Sequence, residues 1–178
     1  MGIDPRRLLL DLEKIEAGEI ELNPQPTLCQ GLLEAAAMSL RPLAERKGLQ
    51  LVISPEESEL SLRIDRRALS QILLNLISNS IKFTERGSVR VAVSRGARNG
   101  RRTVEFNISD TGIGIRREDQ SRLLSAISPG IASRRRLEEA GGLGLHVSQR
   151  LAEALGGTIA IRSEYGAGST FILELPER

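Results

Sequence analysis

Hydrophobic residues change their spacing along this chain between a helical and an alternating period, and this change limits the folds that the chain can adopt. Apolar residues at helical spacing occur in four segments, about 5–17, 27–47, 65–83 and 143–155. Short segments that predict strands occur at 49–54, 60–64, 88–94, 103–109, 158–163 and 169–175. A chain that interleaves both periods in this way folds as an α+β domain. We therefore predict a mixed or antiparallel sheet with helices on one face.

The connections between neighbouring strand segments predict which strands pair. The polar turn 55–58 joins the first two segments, so we predict a hairpin there, directly before the long helix 65–83. The turn-rich segment 95–100 predicts that 88–94 and 103–109 are adjacent antiparallel strands.

Composition restricts the core and the classes of partner. Among the 178 residues, 40% are hydrophobic but only 2% are aromatic, so the core must consist mainly of Leu, Ile, Val and Ala. The net charge is +2 and no basic stripe is interleaved with aromatics, which argues against nucleic-acid binding. The single cysteine, Cys29, cannot form an internal disulfide, which is typical of a protein in a reducing compartment. We predict that its side chain is buried as a small apolar group. No apolar run approaches the roughly 18 residues of a membrane span, so we expect a cytoplasmic domain without direct membrane contact.

The helix 65–83 carries a polar stripe opposite its apolar face. Asn75, Asn79 and Lys82 are spaced at i, i+4 and i+7, so their side chains lie close together. A carboxamide oxygen is a suitable ligand for Mg²⁺, and a lysine one turn further on can contact phosphate. This stripe is typical of a metal-triphosphate surface, while a solvated helix face is the alternative.

Two glycine-containing segments follow secondary structure that could position a ligand. Asp110–Ile115 comes directly after a strand, where a carboxylate can accept a hydrogen bond from an adenine amino group and glycines permit close approach. Its alternative is a tight turn capped by aspartate. Gly141–Leu145 opens a helix, whose free N–H groups attract phosphate. A hinge before an ordinary helix is the alternative, and the segment is not a Walker P-loop.

The order and spacing of these three segments resemble one family. Leu73–Thr84 resembles the N box of sensor histidine kinases, Asp110–Ile115 their G1 box, and Gly142–Leu145 their G2 box. The resemblance covers about residues 65–176, including the closing segment Gly166–Phe171. On these motifs the chain is identified as similar to the catalytic, ATP-binding domain of a two-component sensor histidine kinase.

The resemblance implies a two-layer α/β sandwich of the type shared with DNA gyrase, with a mixed, mostly antiparallel five-stranded sheet packed on three helices. It implies ATP and Mg²⁺ as ligands. Asn79 would ligate Mg²⁺, while Asn75 and Lys82 would contact phosphates. Asp110 would bind the adenine amino group. The other implied cofactor-binding residues are Phe83, Gly112, Gly114, Ile115, Gly142, Leu143, Gly144, Leu145 and Thr170.

The N-terminal segment resembles a different part of the same kinases. Residues 8–19 are similar to the end of the second dimerisation helix, which divides the chain into 1–18 and an ATP-binding domain at 19–178. The phosphate-accepting histidine would lie on a separate part of the full protein, and the sole histidine, His146, is predicted to have a structural role. The implied partners are the dimerisation domain, a second copy of the full-length protein and a response regulator. The apolar stripe of residues 8–15 fits either core packing or a dimer seam.

Two departures from the family pattern keep other functions open. The resemblance implies a mobile lid over the nucleotide, and residues 123–127 of that lid lack the family's usual phenylalanines. Ala140 and Gly141 replace the usual start of the G2 box. A non-catalytic regulatory module with weak or no nucleotide binding is therefore the alternative to a kinase. Arg134–Arg136 could supply compensating phosphate contacts or be a solvated basic run. An ATP-hydrolysing enzyme like gyrase is disfavoured because the N box lacks a glutamate base.

Overall fold

A computed structural model of the chain describes residues 4–54, 59–124 and 142–177. Five helices lie in this part: α1 (Pro5–Glu16), α2 (Cys29–Arg46), α3 (Arg66–Lys82), α4 (Arg117–Leu124) and α5 (Gly142–Ala154). The strands are β1 (Gln25–Leu28), β2 (Gln50–Ile53), β3 (Ser61–Ile64), β4 (Ser88–Arg98), β5 (Arg101–Asp110), β6 (Thr158–Glu164) and β7 (Gly168–Pro176).

The main sheet has five strands in the order β2-β4-β5-β7-β6. β2 is parallel to β4, and the other neighbouring pairs are antiparallel. Helices α2, α3 and α5 cover one face of this sheet. The predicted α+β sandwich with a mixed, mostly antiparallel five-stranded sheet is therefore confirmed.

The predicted hairpin between the first two strand segments is wrong. β2 pairs with β4 through 50–53 and 88–91, whereas β3 pairs with β1 in a separate two-stranded sheet. A parallel pair requires a crossover connection, and α3 supplies it between β2 and β4. This arrangement buries Leu51 of β2 and Val89 of β4 beneath the helices. β1 lies in a segment for which no strand was predicted.

The core beneath the helices is aliphatic, as the composition predicts. α3 lies at its centre between α2 and α5. Phe106 and Phe171 are the buried aromatic residues in the described part of the chain. The fully buried large side chains are Phe106, Leu12, Leu33, Leu60, Leu69, Ile72, Leu73, Leu76, Ile77, Ile81, Ile108 and Leu143.

The β4–β5 hairpin is longer than its sequence predicts. Its strands pair up to Arg98 and Arg101, leaving a two-residue turn at Asn99 and Gly100. Both turn residues have positive φ, 52° and 76°, which fits a type I′ turn and the Asn-Gly preference of such turns. β2 covers only the first four residues of β4, so the rest of β4 lies beyond the end of β2.

Helix α1 packs on α5 rather than standing free. Leu8 and Leu12 are buried in the same hydrophobic cluster as α3 and α5, while Leu10 on the outer side is 58% exposed. Of the two interpretations of the apolar stripe 8–15, core packing rather than a dimer seam therefore applies to Leu8 and Leu12. None of the helices in the described ranges is long and apolar enough to cross a membrane.

Candidate functional site

The polar stripe of α3 is only partly in contact with solvent. Asn75 is 2% exposed, Asn79 is half-buried and Lys82 is exposed. The Lys82 Nζ atom lies 5.5 Å from the centre of the Phe83 ring, at the end of the helix. The solvated-face alternative therefore fails for Asn75, whose burial needs a specific explanation.

The explanation is a pair of hydrogen bonds between α3 and α5. Asn75 Nδ2 donates to the Gly144 carbonyl oxygen at 3.1 Å and to Ser148 Oγ at 3.0 Å. Both amide hydrogens are thereby used, so Asn75 cannot donate to a phosphate in this arrangement. The implied phosphate contact of Asn75 is not supported by this geometry. Its Oδ1 atom is buried and has no hydrogen-bond partner among the described residues.

Asp110 lies at the end of β5 on the face of the sheet that the helices cover. It is 9% exposed, and its Oδ1 accepts a hydrogen bond from the Gly112 N–H at 2.9 Å. Burial raises the pKa of Asp110 above its usual range, and the backbone N–H groups of Gly112 and Ser169 only partly offset this effect. A buried carboxylate in this position is an acceptor suited to an amino group.

The turn after Asp110 packs against the end of α3. A side chain at Gly112 would collide with the Phe83 carbonyl oxygen, so only glycine permits this approach. The Ile113 N–H donates to the same carbonyl oxygen at 3.4 Å. Lys47, from the end of α2, donates to the carbonyl oxygens of Ile81 and Lys82 at 2.7 and 3.0 Å. These contacts fix the backbone that carries Lys82 and Phe83.

The second half of the turn packs against the β6–β7 hairpin. Gly114 has φ of 71° and lies against the Glu164 carbonyl oxygen, where a side chain would collide. The Ile115 N–H donates to Ser163 Oγ at 2.7 Å. The glycines of this turn are thus explained by backbone contacts within the protein.

The glycine segment Gly142–Leu145 begins helix α5. Residues 142–148 are all buried, and Leu143 and Leu145 are each 2% exposed. The first N–H groups of a helix have no partner within that helix, so the start of α5 can bind an anion. Gly144 also accepts the hydrogen bond from Asn75, which connects this segment to α3. His146 is buried on α5, consistent with a packed role.

The predicted role of Thr170 does not fit the strand register. Ser109 pairs with Thr170 and Asp110 pairs with Ser169, and side chains alternate between the two faces of a strand. Thr170 therefore lies on the opposite face from Asp110, where its hydroxyl is 2.9 Å from Ser109 Oγ. The residue beside Asp110 is Ser169, which the sequence analysis missed. Ser169, Phe171 and Leu173 are alternate residues of one strand, so the apolar Phe171 and Leu173 indicate that Ser169 faces the core.

Other predicted residues lie outside the part of the chain that the structure describes. These are Ser125–Ile127 of the altered lid, Arg134–Arg136, and Ala140 and Gly141. Leu123 and Leu124 are the last residues of α4.

The remaining predicted site residues form one continuous arrangement around α3. Asn75 contacts α5 through Gly144, and Phe83 contacts the turn after β5 through Gly112 and Ile113. Asn79 and Lys82 lie between these two contacts on the same stripe. Two of the three segments singled out in the sequence thus contact the third, which is helix α3 itself. The buried carboxylate of Asp110 lies near one end of the polar stripe, and the N-terminus of α5 lies near the other.

Comparison with known proteins points to one family. The profile described as "Histidine kinase-, DNA gyrase B-, and HSP90-like ATPase" matches residues 64–178. The virulence sensor protein BvgS of Bordetella bronchiseptica is 38% identical over 173 residues, which is 94% of this chain and 14% of BvgS. The signal transduction histidine-protein kinase BarA of Escherichia coli K12 is 38% identical over 165 residues, 92% of this chain and 18% of BarA.

The chain thus spans less than a fifth of the length of these two relatives. Among solved structures, full-length ShkA in complex with AMPPNP has a TM-score of 0.79 and 32% identity, covering 97% of this chain and 35% of ShkA. The matched residues include α3, the turn after β5 and α5, which form the site described above. The chain belongs to the histidine kinase-, DNA gyrase B- and HSP90-like ATPase family.

Proposed function

We propose that this chain is the catalytic domain of a sensor histidine kinase, which binds Mg-ATP along α3 and presents the γ-phosphate to a histidine on a separate dimerisation domain. The observation that carries the proposal is the double contact of α3, with Gly144 of α5 at one end of its polar stripe and with Gly112 at the other. The similarity to kinases named BvgS and BarA, and to an AMPPNP complex of ShkA, supports it.

Adenine would be bound beside Asp110, which would accept a hydrogen bond from the amino group. Phe83, Gly112, Gly114 and Ile115 would surround the base, since they lie around the turn that follows Asp110. Ser169, next to Asp110 on the covered face, is a further candidate in place of Thr170.

The phosphates would lie between Lys82 and the start of α5. The Lys82 ammonium would contact phosphate oxygens, and the backbone N–H groups at Gly142–Leu145 would provide further donors. Catalysis in such a site consists mainly of positioning the γ-phosphate and stabilising its charge.

The donor set on α3 fits Mg²⁺. The described residues contain no group of three or more His, Cys, Asp or Glu side chains that could bind a metal. Mg²⁺ is commonly held by few protein oxygens together with phosphates and water. The half-buried Asn79 carboxamide would supply such an oxygen, and the unpaired Oδ1 of Asn75 lies one turn away on the same stripe. Bound Mg²⁺ would neutralise charge on the phosphates.

The larger protein would supply the partners. We propose that α1 is the end of the second dimerisation helix and that this domain lies in the cytoplasm. The full-length protein would work as a homodimer and pass phosphate to a response regulator. The resemblance of residues 8–19 to the end of a dimerisation helix and the similarity to the longer kinases BvgS and BarA are the basis for these proposals. The fit of α1 to α5 supports a defined position of that helix relative to the nucleotide site.

Phosphoryl transfer to a separate dimerisation domain tests the proposal. The isolated chain would be incubated with Mg-ATP and a dimerisation domain bearing its histidine, and acid-labile phosphate would be measured. We expect transfer by the wild type and its loss in Asn79→Ala. Asn107→Ala is the matched control, because this half-buried carboxamide lies on the sheet face opposite Asp110.

The same experiment separates the kinase from a non-catalytic regulatory module. The altered lid sequence and the Ala140-Gly141 start of the G2 box favour that second candidate. Nucleotide binding without phosphoryl transfer would support it, and absence of nucleotide binding at millimolar concentration would rule out the kinase.

A further inference from the structure

The orientation of the Asn75 side chain is fixed by the atoms around it. Asn75 is 2% exposed between α3 and α5. The Gly144 carbonyl oxygen, 3.1 Å away, can only accept a hydrogen bond, so the atom that faces it must be the amide nitrogen. Ser148 Oγ, at 3.0 Å, lies next to the same nitrogen.

This orientation determines what Asn75 can offer a ligand. With both Nδ2 hydrogens directed to α5, only Oδ1 is available, and it is a buried acceptor without a partner among the described residues. Buried polar atoms without partners are uncommon and call for an explanation. Phosphate oxygens are themselves acceptors, so they do not fit this atom. A metal ion or the hydrogens of its bound water molecules do.

We propose that Ser148 is a positioning residue, which holds Asn75 so that its Oδ1 serves the hydrated Mg²⁺ of the nucleotide site. The inference rests on the proposed nucleotide binding. Asn79, the expected direct ligand, lies one helical turn from Asn75 on the same stripe. Asn75 would therefore act on the metal side of the site, and its contact with the phosphates would be indirect.

Of the two groups that bond to Asn75 Nδ2, only the Ser148 hydroxyl can be removed by a side-chain substitution. Ser148 is fully buried on α5, one turn after Gly144, and its hydroxyl receives the second hydrogen of Nδ2. The Gly144 acceptor belongs to the backbone and is retained in any side-chain variant. Removing the Ser148 hydroxyl leaves one amide hydrogen without a partner, so the carboxamide is no longer held by two bonds.

The test is a Mg²⁺ titration of nucleotide binding. A fluorescent ATP analogue would be bound to the isolated chain at increasing Mg²⁺ concentration, and separately in excess chelator. For Ser148→Ala we expect the Mg²⁺ midpoint to rise by about three- to tenfold, corresponding to one lost hydrogen bond. Binding in chelator should stay unchanged, because the proposed role concerns the metal.

Two further variants separate positioning from general loosening of α5. Ala152→Gly, one turn beyond Ser148 and equally buried, weakens the helix without removing the Asn75 contact, so its Mg²⁺ midpoint should match the wild type. Ser148→Cys retains a weak acceptor of similar size and should lie between wild type and Ser148→Ala. If Ser148→Ala does not fold, the cysteine variant alone carries the comparison.

The outcomes distinguish this inference from the proposed function. Wild-type protein that binds no nucleotide overturns both. Wild-type binding with an unchanged Mg²⁺ midpoint in Ser148→Ala overturns the positioning role and leaves nucleotide binding intact. An equal change in chelator and in Mg²⁺ also overturns it, since the contact would then be with the nucleotide itself.

Discussion

Two buried carboxylates have opposite pKa shifts because burial and hydrogen bonding balance differently at each of them. Asp65 accepts from the backbone N–H groups of Asn23, Arg67 and Ala68 at 2.8, 2.9 and 3.0 Å. Although burial favours its neutral form, these bonds lower the pKa of Asp65. At Asp110 burial outweighs the hydrogen bonds to the carboxylate, so its pKa is raised. Asp65 therefore stabilises the fold as an anion, whereas Asp110 costs stability as an anion and is suited to a ligand.

Asp110→Asn is expected to stabilise the empty domain and weaken nucleotide binding. An acid whose folded pKa is raised contributes stability that is lost as the pH rises through that pKa. Asparagine avoids the buried charge and keeps an oxygen for the Gly112 N–H. Loss of a charged hydrogen bond predicts about 10- to 100-fold weaker binding of an ATP analogue.

Thermal unfolding with and without the analogue measures both effects. At neutral pH the empty variant should unfold at a higher temperature than the wild type. The difference should vanish in acid, where the wild-type carboxyl is protonated. Equal nucleotide affinity in the two proteins would contradict the assignment of Asp110 to the adenine site.

Asp65→Ala is expected to destabilise the domain by about 1–2 kcal/mol, the usual cost of losing a helix N-cap. Its folded pKa is lowered, so the stability it provides is present above the unfolded pKa and is lost as the pH falls through the folded pKa. Urea unfolding at neutral pH and at acid pH would measure the change. Asp4→Ala is the matched control, because this exposed cap of α1 makes one side-chain bond and should cost less.

Single residues of the site were predictable where their neighbours lie in the same element. Asn79, Lys82 and Asp110 follow from the helix period and the strand end. Thr170 was named instead of Ser169 because the choice between adjacent strand residues depends on which face the helices cover, and burial across β5 and β7 determines that face. The Asn75 side chain points into the protein because it bonds to Gly144 of α5, which lies 69 residues further along the chain. The sequence of α3 alone does not reveal this contact.

At the scale of elements, the docking of α1 is the feature with a direct energetic test. Leu12 is fully buried against α5, so Leu12→Ala should cost about 2–5 kcal/mol. Leu10→Ala, on the exposed side of the same helix, should change stability by at most about 0.5 kcal/mol. Urea unfolding of both variants checks the contrast. Equal, small effects would show that α1 does not pack on α5 in solution.

The types of the elements were easier to predict than their pairing. Periodicity and the capping residue Asp65 predicted a helix over 65–83, and α3 spans Arg66–Lys82 with Asp65 and Phe83 as its caps. Each predicted end is therefore within one residue of the observed end. The β2–β3 hairpin was mispredicted because a short polar turn favours pairing of sequence neighbours. The parallel pairing of β2 with β4 is decided by long-range burial beneath α2 and α3.

For the whole molecule, the lone cysteine provides a measure of global stability. Cys29 is fully buried, and burial raises the pKa of its thiol to about 11. Thiolate is the reactive form, so we expect labelling only after unfolding. The labelling rate measured against urea concentration should follow the unfolding equilibrium seen by circular dichroism. Rapid labelling without urea would contradict the packing of α2.

Among the strands that the structure describes, none pairs with the outer edge of β4 beyond Val91, the last residue that pairs with β2. An unpaired strand edge exposes N–H and C=O groups that can join the edge of another chain. Arg95 and Arg98 lie on this stretch and form ion pairs with Glu177 and Glu174. Charged side chains along an open edge discourage such joining. We therefore expect these arginines to disfavour edge-to-edge association of separate molecules, at the end of the hairpin opposite to Asp110.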